Sequence, residues 1–265
     1  MSTNSEWPQG APPGAPPVPA SDLATSQPSE NPPWSGWDVL RIALLMFILP
    51  YIVLPVVALI VQKRFFPGVP IGDVLQKPWL LLSTQFAMYL VVLAYMIMFV
   101  EGRFHQRFWP TIRWYWPRRY WPGLAVLGMA LVSLQSLERF FHLPKHIPME
   151  EFLSTPLAAI LTGMFAVSLG PLMEELFFRG FLYPVVARRF GMVVAIVITS
   201  VAFGLIHAAQ LAFAGGLVLI IFLVGVVLTI VRAKTGSVAA SFVVHVAYNS
   251  TLVIMGAIAS RHGLK

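Results

Sequence analysis

Apolar runs recur along this chain at lengths that match a lipid bilayer, and charge is almost absent from their interiors. Runs at 39–61, 79–100, 121–137, 156–180, 192–210, 213–231 and 237–258 approach or exceed the ~20 residues that carry an α-helix across a hydrocarbon core of about 30 Å. The bilayer interior offers backbone amides no partner, so runs of this kind must be helices. The expected fold is all-α: a polytopic transmembrane helical bundle of about seven spans, with six to eight compatible with the pattern. Composition agrees, since 57% of the 265 residues are hydrophobic and 11% charged, against about 25% charged in soluble domains. Pro50 and Pro55 should kink the first span.

Three regions follow from the pattern. Residues 1–36 form a Pro-rich tail, with nine prolines and no basic residue in positions 1–33; a segment this poor in large apolar side chains is expected to be disordered. It lacks the basic start and apolar run of a signal peptide. Residues 37–149 hold the amino-terminal spans and the loop 101–121, EGRFHQRFWPTIRWYWPRRYW, in which five arginines alternate with Trp, Tyr and Phe. Between spans, such interleaving marks a belt against lipid headgroups rather than a surface for stacking nucleic-acid bases. No nucleic-acid partner is expected, and the net charge of +7 is assigned to the bilayer surface and to topology. Residues 150–260 hold the later spans and the chemistry. With seven spans, eleven of the 18 Lys and Arg residues fall on the amino-terminal side. The expectation is a multi-pass protein of a bacterial plasma membrane with its amino terminus in the cytoplasm. Oligomeric state is left open.

Ionisable groups inside a span are costly, so each is a functional-site candidate. They are confined to the later helices: Glu174, Glu175 and Arg179 in PLMEELFFRG, His207 in FGLIH, and His245 with Asn249 in HVAYN. Arg179 lies one turn beyond Glu175, on the same face, suited to a charge-assisted pair. Glu174 is rotated by about 100° and lacks that partner. A second glutamate pair, Glu150–Glu151, follows loop-like residues and has no base one turn on; it is expected at a water-facing helix start. If the fourth and fifth spans fold back around Arg189–Gly191, Glu174 and His207 both lie about 23 Å from that turn. Measured from Gly236, His245 and Asn249 lie about 14 and 20 Å along the last span, so the four can share a depth zone. Gly170–Pro171, just ahead of the glutamates, is expected to open the helix to water.

A carboxylate and an imidazole around one water can activate it for attack on a carbonyl, with or without a metal. His245 and Asn249 add donors for a developing oxyanion. Glu174, His207 and His245 are alternatively a zinc set with one open position. Other hydrolase designs are excluded: the chain has no cysteine, no His-Glu-x-x-His run, and Asp only at 22, 38 and 73. Ser241, one turn before His245, is a weak nucleophile candidate.

EELFFR, FGLIH and HVAYN, in that order on successive late spans, resemble the CAAX-processing and bacteriocin-processing (CPBP, Abi-type) intramembrane protease family, related to the type II CAAX prenyl endopeptidase. The resemblance covers roughly 150–258 and explains nothing before residue 120. It implies hydrolysis of a peptide bond in a membrane protein or peptide substrate. Glu174 and His207 would activate the water, His245 and Asn249 would bind or polarise the scissile peptide, and Glu175, Arg179 and Phe203 would support them. Members are described both as metalloproteases and as metal-independent glutamate proteases, so zinc stays open. The alternatives are a non-catalytic scaffold or bacteriocin-immunity protein sequestering a partner, and a proton-coupled transporter. Transport predicts interrupted helices in both halves, whereas here the polar residues occupy one.

Overall fold

A computed structural model describes residues 30–141, 144, 147–153 and 155–261, without the side chains of Met149, Glu150, Glu151 and Arg261. The disorder expected of residues 1–29 and the surface position expected of Glu150–Glu151 thus lie outside the described residues. Among those described there are helices and no strand. The main ones are α1 (Gly36–Phe65), α2 (Pro78–Phe104), α3 (Trp121–Phe140), α4 (Pro156–Phe190), α5 (Met192–Ile206), α6 (Gly215–Thr235) and α7 (Val238–Ser260). All but α5 are long and apolar enough to cross a membrane, which makes six such spans among the described residues. The chain is an integral membrane protein.

Ordered structure begins ahead of Gly36, inside the segment expected to be tail. Trp34 is buried and its ring packs at a tilt of 39° on Phe181, centroids 4.6 Å apart, with its indole Nε1–H donating to the Phe181 carbonyl at 3.1 Å. Arg188 donates to the carbonyls of Pro32 and Trp34. One large aromatic ring is enough to bring this part of a Pro-rich segment into the core. Ser35 then caps α1 in a reciprocal box with Asp38, and Asp38 pairs with both Arg41 and Arg103, tying α1 to the end of α2.

Proline positions shape α1 and α4. In α1 the turns Leu44–Ile48 are π-helical, immediately before Pro50. Pro50 has no N–H for the carbonyl one turn back, and the widened turns absorb the mismatch. In α4, Thr155 caps the start by accepting from the Ala158 amide. The helix runs to Ala166, breaks at Val167–Ser168 and restarts at Leu169. The break expected at Gly170–Pro171 therefore falls one turn earlier. The ring of a proline collides with the carbonyl four residues back, which for Pro171 is Val167. Further along, Leu176–Leu182 is π-helical before α4 resumes regular winding through Phe190.

The expected span 192–210 is cut short. The 15 residues of α5 extend only about 22 Å. His207 ends it, and the chain turns through Ala212 and Phe213, both at positive φ, before α6. Close packing elsewhere depends on glycine: a Cβ on Gly128 of α3 would stand 2.3 Å from the Val244 carbonyl of α7. The buried core joins Met173, Leu176, Phe177, Phe178 and Phe181 of α4 to residues of α1, α2, α3, α5, α6 and α7.

Candidate active site

The short regular segment Leu169–Glu175, between the break and the π-helical stretch, carries both glutamates at its end. Being adjacent, they leave the helix in different directions and meet different surroundings. Glu175 is fully buried with Arg179, and the two pair at 2.9 Å across one helical turn. Arg179 also donates to the Gly225 carbonyl of α6 at 3.0 Å, and its guanidinium lies 4.6 Å over the Phe203 ring. The ion pair is thus enclosed by α4, α5 and α6. A Cβ on Gly225 would stand 3.0 Å from Phe203, so the bare backbone there lets α6 reach the guanidinium.

Glu174 faces the other way and keeps 16% of its side-chain exposure, as His207 keeps 19%. His207 Nε2 stands 3.9 Å from Glu174 Oε1, and His245 Nε2 stands 3.6 Å from Oε2. Neither is a direct hydrogen bond, and a polar gap of that size suits a bridging water. Both imidazoles are oriented from behind. His207 Nδ1 lies 2.9 Å from the Phe203 carbonyl, one turn back in α5. His245 Nδ1 lies 2.9 Å from Glu175 Oε1, the same oxygen that Arg179 holds. A carbonyl and a carboxylate only accept, so each Nδ1 carries hydrogen and each Nε2 is turned to Glu174. Phe203 fills the space between, with ring centroids 5.0 Å from His207 and 5.8 Å from His245.

Glu174, Glu175, Arg179, Phe203, His207 and His245 therefore come together. Asn249 sits on α7 one turn beyond His245 and is otherwise engaged: its Nδ2 donates to the Ala166 carbonyl at 2.7 Å. Ala166 is the last residue before the break in α4, where carbonyls lose their helical partners. Ser241 is buried and donates to the Val238 carbonyl, so it presents no free hydroxyl as a nucleophile.

Three contributors escaped the sequence reading. Tyr89 of α2 is buried and stacks on Phe165 of α4 at 5.5 Å. The first half of the chain thus packs a buried phenol against the helix that carries the glutamates. Its signal was a phenol inside an uncharged run, which a search for charges passes over. Arg232 of α6, one residue beyond the apolar run 213–231, is buried and donates from Nε to the Arg179 carbonyl. Trp34 does the same for Phe181. A π-helical turn displaces carbonyls from their usual amides, and these two side chains meet two of them.

Zinc is the cofactor to weigh against this geometry. Glu174, His207 and His245 are zinc-ligand types, and the Nδ1 partners resemble those behind metal-bound imidazoles. However, the imidazoles address opposite oxygens of the carboxylate, and among the described residues no three His, Asp or Glu side chains are grouped to hold a metal ion. The donors as placed do not fit convergent ligation.

No curated protein and no solved structure matches the chain. Residues 156–251 match the family described as Rce1-like, type II CAAX prenyl endopeptidase Rce1-like. That segment begins with α4 and contains each of the later-helix side chains just described, and over it the chain is similar to that family.

Proposed function

We propose that the chain is an intramembrane endopeptidase in which Glu174 and His207 activate a water for attack on a peptide bond of a membrane-associated protein or peptide. The observation that carries this reading is the separation of the glutamates. One is sealed against Arg179, and the other is accessible, opposite two Nε2 atoms across gaps of 3.6 and 3.9 Å.

In the proposed reaction a water bridges Glu174 Oε1 and His207 Nε2. Its oxygen adds to the carbonyl carbon while its proton passes to Glu174. The tetrahedral oxyanion is met by donors on α7: an imidazolium Nε2–H at His245 and the second amide hydrogen of Asn249. Protonated Glu174 then gives its proton to the leaving nitrogen as the C–N bond breaks, which returns the carboxylate. Glu175 and Arg179 hold the His245 ring and do not exchange protons with substrate. No step is routed through a metal. The basic residues at and beyond the ends of α2 and α4, among them Arg103, Arg107, Arg188 and Arg189, support a cytoplasmic amino terminus.

The test is cleavage of a membrane-anchored peptide by the purified, reconstituted protein, compared with Glu174→Gln and His207→Ala. The wild type should cleave and both variants should lose the activity. Equal cleavage by all three overturns the assignment of Glu174 and His207, and cleavage by none favours a scaffold that sequesters a partner.

A further inference from the structure

We infer that residues 107–121, between α2 and α3, form a binding surface for the headgroups of anionic phospholipids. Three observations converge on this segment. It is basic and its charges are unspent: Arg107, Arg118 and Arg119 are exposed, and the guanidinium groups of these three form no ion pair or hydrogen bond with a described residue. The nearby acids are already engaged. Asp38 is held by Arg41 and Arg103, and Glu101 Oε1 accepts the Phe108 amide at 3.1 Å. Between the arginines, Trp109, Tyr115, Trp116, Tyr120 and Trp121 are exposed. Aromatic rings with one apolar side and one polar edge partition to the headgroup level of a bilayer, and arginine pairs with phosphate through two parallel N–H bonds.

The segment is also fixed in place, which separates a built surface from a loose loop. Phe108 and Ile112 are buried in the core, and Ile112 packs 3.7 Å from the position a Cβ would take on Gly180. Trp114 lies 5.3 Å from Phe242 of α7. The Val238 amide donates to the Arg113 carbonyl at 3.0 Å, and Ser237 Oγ donates to the Tyr115 carbonyl. The outward guanidinia and rings are therefore carried on a base bonded to α7 and packed on α4. The surface sits where the ends of two spans meet the membrane boundary, so the phosphate source is the bilayer itself.

Tryptophan quenching by brominated lipid tests this on the full chain without reference to catalysis. The protein is reconstituted in phosphatidylcholine bilayers containing either brominated phosphatidylcholine or brominated phosphatidylglycerol. Trp109, Trp116 and Trp121 report on the surface. The wild type should be quenched severalfold more effectively by the anionic lipid, each guanidinium contributing at most about fivefold. The preference should shrink in 1 M salt, where the Debye length is about 3 Å. The combined variant Arg107→Gln/Arg118→Gln/Arg119→Gln should lose the preference while retaining its helical circular dichroism. Lys63→Gln/Arg64→Gln, at the far end of α1, should keep it. Equal quenching of the wild type by both lipids, a preference that survives the triple substitution, or one abolished by Lys63→Gln/Arg64→Gln overturns the inference. If the triple variant does not fold, Arg118→Gln and Arg119→Gln singly must each lower the preference, or the inference fails. Retention of single-stranded RNA in place of lipid would also overturn it.

Discussion

Glu174 and Glu175 are neighbours in sequence, yet their conversion to glutamine should have opposite signatures. Oε1 of Glu175 receives Arg179 and His245, each at 2.9 Å, and all three side chains are almost wholly buried. Glu175→Gln removes the negative charge and leaves the Arg179 guanidinium inside the bundle without its partner. Breaking one side of a buried pair costs about 3–5 kcal/mol, on the order of 10²–10⁴-fold in the folding equilibrium. At about 2–4 °C per kcal/mol for a chain of this size, the melting midpoint should fall by roughly 6–20 °C. Glu174 makes no hydrogen bond shorter than its 3.6 and 3.9 Å imidazole approaches and is partly exposed. Glu174→Gln should therefore change stability by less than about 1 kcal/mol. Its hydrolysis rate should nevertheless fall about 10²–10⁴-fold, the usual contribution of a positioned base. The assay pairs thermal unfolding of detergent-purified protein, followed by size-exclusion recovery, with peptide cleavage by the fraction that remains folded. A fall in the melting midpoint as large for Glu174→Gln as for Glu175→Gln would refute the division of labour. So would a Glu175→Gln protein of unchanged stability.

Four further outcomes can be read in the same assays. His207→Ala should lower cleavage about 10²–10⁴-fold at unchanged melting temperature, because its ring is bonded only to its own helix; a large stability loss would indicate a structural role. Dialysis against EDTA should leave the cleavage rate unchanged, since the three candidate donors are not grouped to hold a metal; a loss restored by zinc would overturn the metal-free mechanism. Gly128→Ala places a Cβ 2.3 Å from the Val244 carbonyl, and the overpacking should cost about 1–3 kcal/mol, visible as a lower melting midpoint. Asn249→Ala leaves the Ala166 carbonyl without its donor, costing about 1–3 kcal/mol as well as activity; Asn249→Asp, which keeps the shape but not the donor, should fail in the same way.

The parts of the fold and site that were legible in the sequence are those governed by local rules. Hydropathy located the seven apolar helices because the bilayer requires length and apolarity. It overran α5 because the end of that helix is set by His207, whose ring meets the Phe203 carbonyl, and a hydropathy window does not register such a bond. The Glu175–Arg179 pair was legible because four-residue spacing lies on one helix. The bond from His245 to Glu175 spans 70 positions on different helices, and no spacing rule encodes it. Depth along folded-back helices pointed to Glu174 and His207 but could not supply which nitrogen faces which oxygen.

The residues missed by sequence reading share a physical cause in the irregular backbone of α4. Pro171 forces the break at Val167–Ser168, and Asn249 answers the carbonyl left at Ala166. The π-helical turns after Glu175 displace further carbonyls; Trp34 meets Phe181 and Arg232 meets Arg179. None of these demands exists in a continuous helix, so none can be read before the irregularities are known. Together they place both glutamates at the end of one short rigid segment whose two margins are tied to remote side chains. Regular winding would give the carbonyls of Ala166, Arg179 and Phe181 the amides of Gly170, Tyr183 and Val185, and leave Asn249, Arg232 and Trp34 without these acceptors. The departures from regular helix thus couple the position of Glu174 to α6, α7 and the segment ahead of α1, and the base proposed at Glu174, with its gap to His207, needs such anchoring.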